Sequence, residues 1–527
     1  MTASNSIKII IIMSLSILLS SSSFFLSYYL HHKIVDQHIN DRQLNYAIQL
    51  KLDSALQYHF KKQNVGSKTW FIFARKLALT HSDVAIELAD FYLKDNKKNK
   101  AIKFYQQAIK LGSRKASLAL ATLYFHQASV NQSHQVNDFD LANKIVEYEI
   151  HNDKNKALAT KEVLMPFLLL KSKIAIAQGN TDYILKNMTD LSKSIAGQSL
   201  INKLHKYQIL NSNGNSNTNS LVSNDMNNEC YSLQFFATSL ADLELISSLI
   251  EQFKQHVLSD YFCLNTPRYI PIQSTKCLHH TDESIRCDET QWRNIASQIN
   301  TRYVGLLYPY GGANVHLGIV YLDSKDTIDI FAHELAHLIG FVDEYPLPKR
   351  HEKCRQSQKM PFAHNVIVMN ETYKGNKRLI REKLLTQIPW ADYIKPSTPI
   401  LSRYALSQHS LFQNDKNSEE WVLGTPIKYA NEVGVFSSLT CEKGSVSAFK
   451  PLSTYSQLMF YDQIFPETYL LFLQNKNNKY MMPSFHYNIA LALLNKGNGK
   501  EAKFWLRQSV ELEPDNIRHK KILQGTF

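Results

Sequence analysis

The sequence predicts a multidomain protein in which an α-helical solenoid is joined to a loop-rich α+β domain, and three observations carry that expectation. The chain has 527 residues, enough for three or four units of ordinary size. Its 17 Gly and 15 Pro are about half the usual share, and few turn formers mean many helices. The scarcity is also uneven. Of these 32 residues, 21 lie between positions 230 and 482, a stretch that holds all six cysteines as well. The boundaries expected are an N-terminal signal segment at 1–35, helical repeats at 36–210, a linker at 211–229, the α+β domain at 230–482 and a last helical repeat at 483–527. Apolar residues at 44% and charged residues at 20% exclude a wholly disordered or wholly membrane-embedded chain.

At the N-terminus, Lys8 precedes an uncharged run from Ile9 to Leu30, long enough to span a bilayer. No small-x-small cleavage site follows it, which favours an uncleaved signal anchor over a removed signal peptide. Either form places the bulk of the chain outside the cytoplasm. The even number of cysteines, at 230, 263, 277, 287, 354 and 441, agrees with export. With no C-x-x-C spacing, three structural bridges among fifteen connectivities are expected, against unpaired buried thiols as the alternative. Cys277 and Cys287 are the first pair to test.

From about Asp36 to Ala196, apolar residues recur at i, i+3 and i+4 with little punctuation, as in successive amphipathic helices. Leu88-Ala89-x-x-Tyr92 returns 32 residues later as Leu120-Ala121-x-x-Tyr124, with Ala101, Tyr105, Ala108 and Gly112 between. Small residues let helices approach, aromatics fill the adjoining gaps, and Gly112 can close its helix in a left-handed cap. This order resembles the tetratricopeptide and Sel1-like repeat families. Ile489-Ala490, Ala502, Trp505-Leu506, Ser509 and Leu512-x-Pro514 resemble a tetratricopeptide repeat more specifically. Such repeats imply a protein partner.

Asn211 to Asn228 is Asn/Ser-rich and reads as a linker. Beyond it, the pattern predicts a strand over Tyr231–Ala237, a helix over Leu240–His256 and a second near Trp292–Arg302. Strands follow over Tyr303–Tyr308 and His316–Leu322, separated by Gly311-Gly312.

Residues 331 to 345 then read Phe-Ala-His-Glu-Leu-Ala-His-Leu-Ile-Gly-Phe-Val-Asp-Glu-Tyr. His333 and His337, four apart on a helix, project from one face at the separation needed to share one metal ion, and Glu334 is placed beside them to handle a water. Such an H-E-x-x-H string arises by chance only about 0.03 times in a chain of this composition. Gly340 can stop the helix with positive φ, so that the chain turns back to offer Asp343. Glu371 and Glu344 remain alternatives for the third ligand.

The order His333-Glu334-x-x-His337-x-x-Gly340-x-x-Asp343 resembles the metzincin zinc metallopeptidases, in particular snapalysin-like members with aspartate as third ligand. The resemblance implies an α+β zincin-like fold in which a twisted sheet packs on two long helices, Zn2+ is the cofactor and an edge strand aligns a peptide or protein substrate. His316–Leu322 is where that strand is expected. It also implies a Met-turn beneath the metal, for which Met459 and Met369 compete, and with Met459 it brings Tyr461 toward the scissile carbonyl. The catalytic residues implied are Glu334 and Tyr461, and the metal ligands His333, His337 and Asp343. Three protein ligands leave one coordination position open, as catalysis requires.

A closed structural zinc site needs no carboxylate beside its first histidine, and His279, His280 and His316 read as surface or hydrogen-bonded residues. The net charge of +13 favours acidic surfaces, but Lys97–Lys100 and Lys374–Lys383 read as solvated faces without the aromatic interleaving of a nucleic-acid groove. No nucleic-acid partner is expected. The competing function is an envelope-anchored interaction scaffold with a vestigial zincin core.

Overall fold

The structure is a computed structural model that describes residues 25–36, 39–130, 135–154, 161–211, 230–278, 284–403, 420–474, 480–513 and 516–524. Most of the apolar run at 9–30, nearly all of the Asn/Ser-rich linker, and His279-His280 lie outside these. No helix among the described residues is long and apolar enough to cross a membrane. The chain forms two compact units, residues 1–174 and 175–527.

The first unit is helical. Helices Ser82–Lys94, Lys98–Lys110 and Arg114–Val130 carry the recurring motif, and Leu88, Ala89 and Tyr92 are buried, as are Leu120, Ala121 and Tyr124. Between them Ala101 and Ala108 have no exposed surface, and Tyr105 donates from its hydroxyl to Asp90. Alanine at those points removes the side-chain bulk that would hold the helices apart. Gly112 has φ +85°, and the N–H groups of Gly112 and Ser113 reach back to Ile109 and Ala108, closing the helix in a left-handed cap.

The second unit carries, in chain order, β1 (Tyr231–Ala237), α1 (Leu240–Phe253), β2 (Phe262–Leu264), β3 (Tyr303–Tyr308), β4 (Asn314–His316), β5 (Ile319–Asp323), α2 (Ile328–Leu338), β6 (Ile367–Met369), β7 (Thr372–Lys374), α3 (Lys377–Leu385), α4 (Phe485–Asn495) and α5 (Gly499–Leu512). The main sheet runs β2-β1-β3-β5-β4, with a two-residue strand, Arg268–Tyr269, also on β1. Strands β1, β2, β3 and β5 are parallel and β4 is an antiparallel edge. Every residue of β3 and β5 is buried, the continuous apolar pattern of strands covered on both faces.

Helices α1 and α2 cover one face, where Phe235, Phe253 and Phe331 meet with ring centroids 5.3 and 5.4 Å apart. Gly305 is required there, because a Cβ would lie 2.1 Å from the Phe235 ring. The C-terminal helices cover the other face: Phe485, Ile489, Leu493, Trp505 and Leu506 share one core with Val304, Leu306, Ile319 and Tyr321. The segment that reads in sequence as a separate last repeat is thus one layer of the α+β unit.

The strand expected over His316–Leu322 divides in two. Leu317 and Gly318 have φ +43° and +84°, a two-residue hairpin turn that ends β4 and starts β5. The edge strand is therefore Asn314–His316, and Ile319–Asp323 is internal. The helix expected near Trp292–Arg302 is a 3-10 turn at Glu289–Trp292 followed by one helical turn at Arg293–Ala296. Helices Asp182–Leu191 and Ile195–Lys206, read as repeats in the sequence, belong to the second unit, where the Tyr269 N–H donates to the Tyr207 carbonyl. All six cysteines are paired, as Cys230–Cys263, Cys277–Cys287 and Cys354–Cys441.

Candidate metal centre

Helix α2 places His333 and His337 one turn apart on the same face, and Gly340 then ends it with φ +92°. A Cβ at Gly340 would also stand 2.9 Å from the backbone of Tyr480, so glycine answers both to conformation and to space. The chain reverses, and Asp343 returns to the two histidines. His333 Nε2 lies 3.1 Å from Asp343 Oδ1, His337 Nε2 lies 3.2 Å from the same oxygen, and the two Nε2 atoms are 3.1 Å apart. A tetrahedral ion with bonds of about 2.0–2.1 Å would hold its ligands about 3.3 Å from one another.

The tautomers follow from the opposite sides of the rings. His333 Nδ1 is 2.9 Å from the Gln457 carbonyl and His337 Nδ1 is 3.0 Å from the Phe341 carbonyl. A carbonyl only accepts, so each Nδ1 is the donor and each ring, when neutral, turns its Nε2 lone pair inward. Two lone pairs and a carboxylate oxygen then face each other at contact distance, an arrangement that a cation stabilises. The donor set fits a divalent metal.

Without a metal, a proton on His337 supplies that positive charge. Burial works to lower the His337 pKa, but the Asp343 carboxylate outweighs it and pushes the group up to about 9. Burial works to raise Asp343, yet His337 and His333 hold it well below the ordinary carboxylate range. Glu334 is 4% exposed, and burial raises its pKa above the usual glutamate value against the pull of both histidines. Ligand atoms of His333, Glu334 and His337 lie within 4.8 Å of one another, so Glu334 stands beside the tighter His-His-Asp triangle.

The rival third ligands are engaged elsewhere. The fully buried Glu344 accepts from Lys450 Nζ at 2.9 Å, from Asn365 Nδ2 at 3.2 Å and from the Tyr469 hydroxyl. Glu371 is exposed and accepts from Ser447 Oγ at 2.6 Å. Of the two methionines, Met369 ends β6, whereas Met459 lies in the turn whose Gln457 carbonyl receives His333. The next carbonyl of that turn, Leu458, accepts the Glu344 N–H at 2.9 Å, so one turn braces both the helix and the returning loop. Tyr461 is 42% exposed, its ring centroid 4.7 Å from that of His333 and nearly perpendicular to it.

Sequence reasoning missed four residues here. Tyr345 stacks on His333 at 6.2 Å. Asn365, fully buried, accepts from the Val342 N–H at 3.0 Å and donates to the Val342 carbonyl at 2.9 Å, pairing with that backbone as a strand would. Thr440 Oγ1 donates to the Asp343 carbonyl at 2.8 Å, and Lys450 neutralises Glu344. Only Tyr345, two residues after Asp343, sits near enough in sequence to have been noticed.

A tetratricopeptide repeat family model matches residues 82–111 and 483–516. No curated protein and no solved structure matches the chain. The two segments thereby carry the repeat character that their small-residue and aromatic spacing suggests.

Proposed function

We propose that this protein is a zinc-dependent peptidase of metzincin-like type. The observation that carries the reading is the triangle of His333 Nε2, His337 Nε2 and Asp343 Oδ1, with edges of 3.1–3.2 Å and a buried glutamate at its side. Two imidazoles and one carboxylate suit zinc and leave a position open. Support also comes from the mixed sheet with one antiparallel edge strand, β4, and two helices on the face that bears α2.

Zinc, when bound, supplies Lewis-acid polarisation of a carbonyl and makes a neighbouring water easier to deprotonate. The Glu334 carboxylate, which burial makes a stronger base than an exposed one, takes a proton from the attacking water and returns it to the leaving amide nitrogen. Asp343 and the two carbonyls behind the histidines keep the ligand atoms aimed inward. Tyr461, at the exposed rim, donates toward the oxygen of the tetrahedral centre.

The tetratricopeptide segments support protein–protein interaction in general terms. Three disulfides point to an extracytoplasmic or secreted protein, and the 9–30 run is proposed as its membrane signal. The alternative reading, an interaction scaffold with a vestigial metal site, is favoured only by those repeats.

The test is peptide hydrolysis by wild type and Glu334→Gln, with zinc measured in both. The variant should retain its zinc and lose about 10²–10⁴-fold in rate. His337→Ala should lose both metal and activity. Undiminished cleavage by Glu334→Gln would remove the mechanism, and a wild type that takes up no zinc would favour the scaffold.

A further inference from the structure

The net charge of the chain is +13, and residues 349–387 alone hold ten Lys and Arg against three Asp and Glu. More than half of the excess positive charge therefore sits in one stretch that the metal centre does not use. It wraps a cleft of about 940 Å³ between the loop after Glu352, the strands β6 and β7, and helix α3. Lys359, Lys374 and Lys383 line it, all three exposed and without a carboxylate partner among the described residues. Of the three acids, Glu382 is taken by Arg378 and Glu371 by Ser447, and Glu352 alone lines the cleft, against three lysines.

We propose that this cleft docks an acidic, extended segment of a protein substrate. The proposal rests on the peptidase reading for the word substrate, while the binding itself does not need the metal. Three points select a peptide over other polyanions. The lining cations are lysines, point charges that suit scattered carboxylates, without the arginine fork that grips phosphate in two places. Met360, 63% exposed, and Phe362 offer apolar surface between the charges, useful to a peptide's side chains. Finally, Gln358 Oε1 is buried with no hydrogen-bond partner among the described residues. Gln358 is only half-buried as a residue, and on turning that oxygen into the cleft it would meet a donor in a peptide backbone N–H but none in a phosphodiester.

The test uses the full chain, stripped of metal by chelator, and a fluorescein-labelled peptide of alternating Glu and Leu followed by fluorescence anisotropy. The peptide should bind at low ionic strength, weaken as salt is added, and bind at least about tenfold more weakly to Lys359→Glu/Lys374→Glu/Lys383→Glu. All three positions are exposed, so the variant should fold. The metal-loaded variant should cleave a short neutral peptide at the wild-type rate while losing its preference for acidic protein substrates. Equal binding by variant and wild type overturns the proposal. So does tighter binding of phosphatidylserine vesicles or oligothymidylate than of the acidic peptide. Docking that persists in a Glu334→Gln chain, together with absent hydrolysis by wild type, would instead reject the peptidase reading and leave the docking site standing.

Discussion

Residues 82–111 and 483–516 match the same repeat family and yet are used differently. In the first, the hairpin buries Leu88, Ala89, Ala101 and Tyr105 among helices of its own kind. In the second, Ile489, Ala490, Ala502 and Trp505 are buried against a β-sheet. The repeat pattern specifies how two helices pack on each other, and the exposed strip that remains can be buried by any apolar surface of matching shape. A family match to a hairpin thus reports the pair and says little about its third contact.

Deletion separates the two uses most sharply. Removing residues 483–527 strips one face of the sheet from Val304, Leu306, Ile319 and Tyr321. At about 1.5–3 kcal/mol per large buried side chain, the loss of Phe485, Ile489, Leu493, Trp505 and Leu506 matches the whole stability of an ordinary domain. The truncated chain should show no cooperative melting transition for its α+β unit. A 175–527 fragment, by contrast, should fold and bind metal, because that unit has its own core. Metal binding by the first truncation would break the distinction.

Single substitutions probe it more gently. Trp505→Ala should cost about 3–5 kcal/mol and lower the melting temperature of the α+β unit. Its Nε1 has no hydrogen-bond partner among the described residues, so the loss is one of packing. Leu88→Ala, at a position with no exposed surface, should cost about 2–5 kcal/mol in the helical unit and leave zinc retention unchanged. Calorimetry with and without chelator assigns each transition.

The smallest effect is electrostatic. Burial, with the nearby Asp323 and Glu334 charges, pushes the half-buried Asp326 up to about 7. A carboxyl whose folded pKa lies above its unfolded value stabilises the fold only while protonated, so its contribution is lost as pH rises through about 7. Asp326→Asn should therefore raise the melting temperature at pH 8 and raise it progressively less toward pH 4. A gain independent of pH would contradict this origin.

Much of this was legible in the residues. Tyr231–Ala237 and Tyr303–Tyr308 begin and end as strands where the apolar runs do, since runs of that length bounded by polar residues have few other solutions. His333, His337 and Asp343 could be placed because helix spacing and a glycine stop are local rules. The hairpin at Leu317-Gly318 was hidden, because a leucine at φ +43° has no composition signal and Gly318 sat inside an apolar run. The braces supplied by Asn365, Thr440 and Lys450 reach the 342–344 loop from positions 21 to 106 residues away along the chain. No periodicity reports such contacts, which depend on tertiary folding rather than on neighbours in the chain.

Two imidazoles and the Asp343 carboxylate are proposed to hold one zinc ion. X-ray absorption at the zinc K-edge on the purified protein tests it directly, alongside Asp343→Asn. One zinc per chain in a shell of nitrogen and oxygen at about 2.0–2.1 Å, with zinc affinity falling in the variant, is the result expected. A sulfur shell, no bound zinc, or an affinity unchanged by Asp343→Asn would contradict it.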